Sequence, residues 1–470
     1  MTSFMSKAPH MEIKYTQIFI NNEWHKAVNG KTFPVINPST GEEICRVEGG
    51  TKSDIDKAVE AARNAFRVDS AWRKLEPSAR GTLMRKFAEL LRRDIAYLAQ
   101  LETLNNGKTL INSKIDIMGS AACIDYYAGW ADKFTGETIP STPDTNYPIL
   151  MLALKLGPAL ACGNVVILKP AEETPLTALY CASLIKEAGF PPGVVNIVPG
   201  DGPECGHAIV VHEGIDKISF TGSVEVSQWI KTKIKLQLLL CGKSPLIICE
   251  DADVDFAVYV AHEAIFHNAA QNCIAGSRTF VHSKIYPEFI AKSVALAKKR
   301  IVGDPFDPNT QQGPQINSQQ FKKILNYIEL GKNAGARLEC GGQKAYDKGY
   351  FIQPAVFSDV KDDMIIAREE IFGPVMCVLK FDSYDEVIER ANATNFGLVA
   401  GVITKDLTRA LKFVQELQAG SVWVNTYAAM KFQAPFGGFK QSGQGRELGK
   451  YGLEPYYEVK TVVMKLLSKI

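Results

Sequence analysis

Three features of the sequence predict an α/β architecture. From residue 162 onward short apolar runs alternate with helical stretches, and a second alternating block begins near residue 255. The chain is also 470 residues long, more than one small core needs, so two or three domains are expected. Alternation of this kind builds a parallel sheet, because a strand returning in the same direction requires a crossover, usually a helix.

The elements follow in order. "TQIFINNEW" and "NGKTFPVINPSTGEEICRVE" read as short strands separated by turn residues. "SDIDKAVEAARNAF" predicts a helix from Ser53, capped by Ser and Asp, with alanines and Val59 at helical spacing. "PSARGTLMRKFAELLRRDIAYLAQLETLNNGK" predicts a second helix that closes on Asn and Gly. Then come the strand "NVVILKP", the helix "TPLTALYCASLIKEAGF" ending at Gly189, the strand "VVNIVPG" and the helix "GPECGHAIVVH". The strand "IDKISFTGS" runs into a helix at "VEVSQWIK". The second block passes from "DFAVYVAHEAIFHNAA" through "TFVHSKIYPEFIAKSVALAKKR" to "SVWVNTY". The β-branched "YYEVKTVVMKL" predicts a final strand with an exposed edge.

Composition narrows the function classes. Apolar residues make up 46% and charged residues 22%, ordinary values for a soluble globular chain. With 53 basic against 51 acidic residues the net charge is +2, and no basic block points to nucleic acid or a membrane surface. "MTSFMSKAPHMEIKY" has no apolar run behind a basic start, so no secretory signal is expected. "LTALYCASLI" and "PILMLALKLGPALACG" are too short or too interrupted to span a bilayer. Ten cysteines without a CxxC pair and seven histidines without ligand spacing predict reduced thiols in a cytoplasmic protein and no metal site.

"HNAAQNCIAGSR", residues 267–278, sets Cys273 among small and polar neighbours, where a thiol is either a nucleophile or filler. Five further stretches bear on the choice: "GNVVILKPAEETP" (163–175), "ISFTGS" (218–223), "GKSP" (242–245), "EEIFGPV" (369–375) and "PFGGFKQSGQGRELG" (435–449). With "QNCIAGSR" they span nearly the whole chain, and in this order the sequence resembles the aldehyde dehydrogenase family. The likeness is greatest to the cytosolic retinal and general aldehyde dehydrogenases and to their relatives, the omega-crystallins of mollusc lenses.

The resemblance implies a Rossmann-type dinucleotide-binding domain (1–130 and 146–243), an α/β catalytic domain (244–452) and a small β oligomerisation element (131–145 and 453–470). It also implies NAD-dependent oxidation of an aldehyde to a carboxylic acid through a thioester on Cys273. Asn146, in "NYP", falls on the amide that holds the oxyanion. Lys169 and Glu172 fall at the adenosine ribose, Gly222 and Ser223 at the pyrophosphate turn, and Glu370 and Phe372 at the nicotinamide ribose and ring. A bare backbone at a helix start suits phosphate. Glu172 would repel a 2′-phosphate, which favours NAD over NADP. Taken one at a time, each residue has a plainer reading: a packed thiol, a turn before Tyr-Pro, a strand-to-helix corner, a surface charge, a core ring.

The sequence also departs from the family pattern. Leu239 stands where the family carries the glutamate that activates water, and losing a positioned base costs about 10²–10⁴-fold in rate. Glu250 and Asp251 read as the acidic turn that starts a helix rather than as a replacement. Cys241, Ala270 and Ser227 replace glycines and are expected to strain or crowd the site. The family's β-arm and first parallel strand are missing between "GETIPSTPDT" and "NYPILMLALKLGPAL", and a smaller shortening lies at "IKTKIKLQL". These changes predict an unpaired ladder, turnover absent or severely impaired, and a weakened homo-oligomer. The alternative is a catalytically silent structural protein of the same fold.

Overall fold

The computed structural model describes residues 8–133, 148–222, 236–240 and 242–464, with only the backbone of Leu236 and Leu239. The helix expected at "VEVSQWIK" lies outside these residues, as do Asn146, Ser223, Ser227 and Cys241.

β1 (Ile18–Ile20) and β2 (Glu23–His25) form a hairpin that turns at Asn21 and Asn22, with φ of 57° and 61°. Asparagine tolerates the left-handed region that such a two-residue turn requires. β3 (Thr32–Ile36) and β4 (Glu43–Glu48) make a second antiparallel ladder. α1 (Lys52–Phe66) starts one residue before the predicted Ser53, because the Asp54 carboxylate accepts from the Thr51 N–H at 2.9 Å and makes Thr51 the cap.

After the short α2 (Ala71–Lys74), the single helix predicted over 77–108 is two, α3 (Pro77–Arg93) and α4 (Ile95–Asn106). Asp94 leaves the helical region at φ −97°, ψ 16°. Its carboxylate is engaged by Arg93 at 2.8 Å and by the Tyr180 hydroxyl at 2.9 Å. Side-chain partners of this kind compete with helix continuation. Gly107, at φ 84°, ends α4, and α5 (Leu110–Ala128) and the almost wholly buried α6 (Pro148–Ala161) follow.

β5 (Val166–Leu168), α7 (Leu176–Ala188), β6 (Val195–Ile197), α8 (His207–Val211), β7 (Ile218–Gly222) and β8 (Leu236–Leu240) carry the first alternating block. The "GPECGHAIVVH" helix begins instead as one π turn over Gly202–Gly206, capped by Asp201, before α8. The second block runs β9 (Pro245–Ile248), α9 (Val254–Phe266), β10 (Arg278–His282), α10 (Tyr286–Lys299) and α11 (Ser318–Asn333). It continues through β11 (Arg337–Cys340), β12 (Ala355–Ser358), α12 (Ile365–Arg368), β13 (Val375–Phe381) and α13 (Tyr384–Asn392). β14 (Phe396–Gly397), β15 (Val399–Ile403), α14 (Leu407–Glu416), β16 (Ser421–Val424), β17 (Phe439–Lys440) and β18 (Gly443–Gln444) complete it.

This second block closes a seven-stranded sheet in the order β11-β12-β13-β10-β9-β15-β16, parallel except at β11. β9, β12 and β15 are buried at every position, as a strand covered on both faces must be. The first block is divided. β5 pairs with β6 in the order β2-β1-β6-β5, while β7 pairs with β8 and β8 with β18. No strand among the described residues joins β5 to β7.

The predicted C-terminal strand does not form over 457–464, and Val459, Val462, Val463 and Met464 are exposed. A strand whose partner lies elsewhere finds no ladder in this arrangement.

The two blocks meet closely at Gly107 and Gly313, where a Cβ on Gly313 would fall 2.0 Å from the Gly107 carbonyl oxygen. Beside this contact Lys108, fully buried, reaches Glu102 at 3.0 Å and Asp116 at 2.6 Å. Glu102 also accepts from the Thr177 hydroxyl at 2.5 Å. Lys108→Met would leave two carboxylates buried without their cation, so it is expected to lower stability by about 3–5 kcal/mol, read as a fall in the urea unfolding midpoint.

Candidate active site

The loop that carries Cys273 is shaped by backbone geometry. α9 ends at Phe266, and Asn268, Ala269 and Ala270 then take φ of 51°, 55° and 58° in succession. Ala270 thus occupies the left-handed region that its replaced glycine would adopt freely, as the sequence predicts. The reversal is clamped by Gln271, whose Oε1 accepts from the Ile316 N–H at 2.8 Å and whose Nε2 donates to the Pro314 carbonyl at 3.4 Å. Beyond it, the Gly276 N–H returns to the Ala264 carbonyl at 2.9 Å. Arg278 anchors the far end by donating to the backbone carbonyls of Lys243, Arg390 and Ala391 at 2.9, 3.1 and 2.7 Å.

Cys273 lies half-buried at the wall of a cavity of about 1780 Å³. Lys169, Gly222 and Phe372 line the same cavity, so four of the predicted residues, 169, 222, 273 and 372, converge there. Burial raises the thiol pKa of each of the other eight described cysteines. It pushes Cys45 up to about 11 and Cys162, Cys205 and Cys249 up to about 12. It raises Cys123, Cys181, Cys340 and Cys377 as well. Cys162 lines the cavity too, but a thiol held protonated is a poor nucleophile.

Lys169 donates to the carbonyls of Gly200 and Pro170 at 2.7 and 3.1 Å, which fixes its stem along the cavity. Glu172 is exposed and outside the lining, because its carboxylate accepts from the Gly202 N–H at 2.8 Å. A Cβ on Gly222 would meet the Phe220 ring at 2.5 Å, so this corner admits only bare backbone. Phe372, at φ 56°, is presented by a loop whose carbonyls at Ile371 and Phe372 accept from Gln320 at 2.8 and 3.2 Å. Glu370 stands half-buried next to that loop without lining the cavity.

Leu239 lies in β8 opposite Thr221 of β7 and Gly443 of β18, and its side chain is outside the described set. Glu250 is taken by Lys284, and Asp251 accepts from the Thr404 hydroxyl at 3.0 Å and pairs with Arg409 at 2.9 Å. Asp253 caps α9, accepting from the Phe256 N–H at 2.9 Å. These acids serve local structure, as the acidic turn predicts. Of the carboxylates lining the cavity, Glu173 accepts from Asn317 at 3.0 Å and Asp216 pairs with Arg63 at 2.9 Å. Glu213 lies in the turn before β7, and Glu458 follows the last helical turn. No cluster of metal-ligating side chains occurs among the described residues, and no described helix is long and apolar enough to cross a membrane.

Two features escape sequence reasoning. Lys155 of α6, on the cavity wall, forms a buried ion pair with Glu447, and nothing in the spacing links two residues so far apart. Burial, with the Lys217 charge second, draws Lys155 below the ordinary ammonium range against the pull of that carboxylate. Lys217 donates to Gln237 at 2.8 Å and stands 3.9 Å from the centre of the Tyr456 ring. Burial lowers it from 10.5 to about 7. A lysine directly before an apolar run was the only available signal for it.

The sequence matches the aldehyde dehydrogenase family over residues 24–462. It is 56% identical over 483 aligned positions to the mitochondrial aldehyde dehydrogenase of Mesocricetus auratus, covering 97% of each chain. It is 53% identical over 489 positions to retinal dehydrogenase 2 of Homo sapiens, covering 99% of this chain and 94% of that one. The fold is similar to the NAD+ complex of aldehyde dehydrogenase from Bacillus cereus, with a TM-score of 0.92, 45% identity and 96% of both chains covered. It is similar also to an indole-3-acetaldehyde dehydrogenase complexed with NAD+, with a TM-score of 0.93, 38% identity and 98% of both chains covered.

Two outcomes are expected. Ala270→Gly relieves a left-handed alanine and should stabilise the chain by about 1 kcal/mol in urea unfolding. Lys217 gives a pH signature. The unfolded chain keeps this proton up to the ordinary value of 10.5, whereas the folded chain releases it near 7. The penalty is therefore full below pH 7 and is relieved as the pH climbs from 7 towards 10.5. Lys217→Met should reduce the rise between pH 6.5 and pH 9 in the urea midpoint, leaving the part that Lys155 contributes.

Proposed function

The chain belongs to the aldehyde dehydrogenase family, and from that premise we propose that it takes an aldehyde onto Cys273 as a thioester but releases the acid slowly or not at all. The observation that carries this reading is Leu239, an aliphatic residue in β8 at the position of the family's water-activating glutamate.

The cofactor in this reading is NAD, which when bound accepts the hydride. The cavity fits such a group: Lys169 and the bare Gly222 corner suit the ribose and phosphate portion, and Phe372 lies on the same wall as Cys273. Glu172 is the carboxylate that the family likeness sets against a 2′-phosphate, although here it is held at the Gly202 N–H outside the cavity lining. Cys273 is the nucleophile, and the reversal at 268–270 presents its sulfur to the cavity. Asn146, together with a backbone N–H, would hold the oxyanion. Glu370 would orient the ribose beside Phe372. Removing the acyl group needs water deprotonated next to the sulfur, and a leucine side chain has no lone pair for that proton.

A second reading, a silent structural protein of the same fold such as a lens omega-crystallin, draws on the same leucine and on the divided first sheet. The nine described cysteines are unbridged, in keeping with a reducing compartment such as the cytoplasm. A homo-oligomer looser than a family tetramer is the proposed assembly.

Absorbance of NADH separates the readings. The unmodified chain should give one burst of about one NADH per site and a steady rate about 10²–10⁴-fold below that of an intact relative. Cys273→Ala should abolish the burst, and Leu239→Glu should raise the steady rate. Sustained turnover at a relative's rate would refute impaired release, and absence of any burst would favour the structural protein.

A further inference from the structure

Among the described residues, β5 and β7 each have a hydrogen-bonded neighbour on one side, β6 and β8 respectively. β5 is wholly apolar and β7 carries Ile218 and Phe220, both strands line the cavity, and all three residues of β5 are only half-buried. A parallel strand inside an α/β domain is ordinarily paired along both edges, because a shielded N–H or C=O without a partner costs about 1–3 kcal/mol. β5 and Ile218–Thr221 of β7 thus wall one cavity, and the part of it between them is a slot of interest for a further strand.

The chain carries a segment that starts at this slot. The Tyr456 carbonyl accepts from Asn164 Nδ2 at 2.8 Å, just ahead of β5, and its ring lies 3.9 Å from Lys217 Nζ, just ahead of β7. Chain leaving Tyr456 thus departs from between the two strands, at the ends from which both begin. Pro455 to Glu458 line the cavity. Beyond them Val459, Val462, Val463 and Met464 are 88%, 66%, 89% and 82% exposed, an apolar β-branched run that water disfavours.

We infer that Val459–Met464 enters the slot as a strand, parallel to β5 and β7, and joins the two half-sheets into one. The reach is sufficient: six residues extend about 20 Å, against about 17 Å for the five of β7. Alternation sets Val459, Thr461 and Val463 on one face and Lys460, Val462 and Met464 on the other. Lys460 is the single charge, on a stem long enough to carry its head to the cavity mouth. Insertion within one chain is favoured over exchange because the short connection gives a high effective concentration. It would also withdraw from neighbouring subunits the edge that an oligomer would pair.

Hydrogen–deuterium exchange of the full chain tests this against Val462→Pro, which lacks an N–H and cannot continue a paired strand. Val462→Thr, which keeps the N–H and the branching, is the control for folding. The unmodified chain and Val462→Thr should show amides of 166–168, 218–221 and 459–464 exchanging at least about tenfold slower than in Val462→Pro, at every protein concentration. Equal rates in all three, or a tail that exchanges as unstructured peptide, would overturn the inference. Protection that grows with concentration, with a doubled mass in light scattering, would assign the slot to a second copy's tail and overturn insertion within one chain.

Discussion

Cys273 reaches the cavity because the chain reverses over three consecutive left-handed residues, none of them glycine. Each such residue costs on the order of 1–3 kcal/mol and persists only where its surroundings fix it. Gln271, bonded to residues 314 and 316, and Arg278, bonded to three carbonyls, supply that fixation from both ends. The partners of Arg278 lie at residue 243, just before β9, and in α13 at Arg390 and Ala391, so the loop is held by the seven-stranded sheet and its helices. Whatever chemistry the thiol retains therefore depends on the block that is complete.

That complete block contrasts with the divided one. In the first half of the chain the described strands form separate ladders, and none of them joins β5 to β7. The parting falls on the side where Lys169 and Gly222 line the cavity, while Cys273 and Phe372 are carried by loops of the second half. The division thus lies on the proposed cofactor side, while the loop that carries Cys273 is held by the complete sheet and its helices.

Much of this was legible in the sequence, for identifiable reasons. The apolar runs at β5, β6 and β16 announced strands of parallel ladders, and Gly107 and Gly189 marked helix ends through the φ that glycine adopts easily. The motifs around 169, 222, 273 and 372 placed four residues that do share one cavity. Other features depend on contacts remote in sequence. Asp94 breaks a helix because Tyr180 waits for its carboxylate, and Lys155 finds Glu447 almost three hundred positions later. Glu172, placed by motif at the ribose, points to the Gly202 N–H because a nearer donor satisfies it. The C-terminal run has strand chemistry without a ladder, since periodicity describes a residue's preference and never the address of its partner.

The glycine contact between the two blocks has a mechanical consequence. Where Gly313 presses on the carbonyl of Gly107, with Leu110 donating to the Pro305 carbonyl at 3.0 Å close by, neither partner can yield without a backbone shift. A methyl group at position 313 would therefore wedge the two backbones apart, so the closeness of this seam depends on a side chain that is not there.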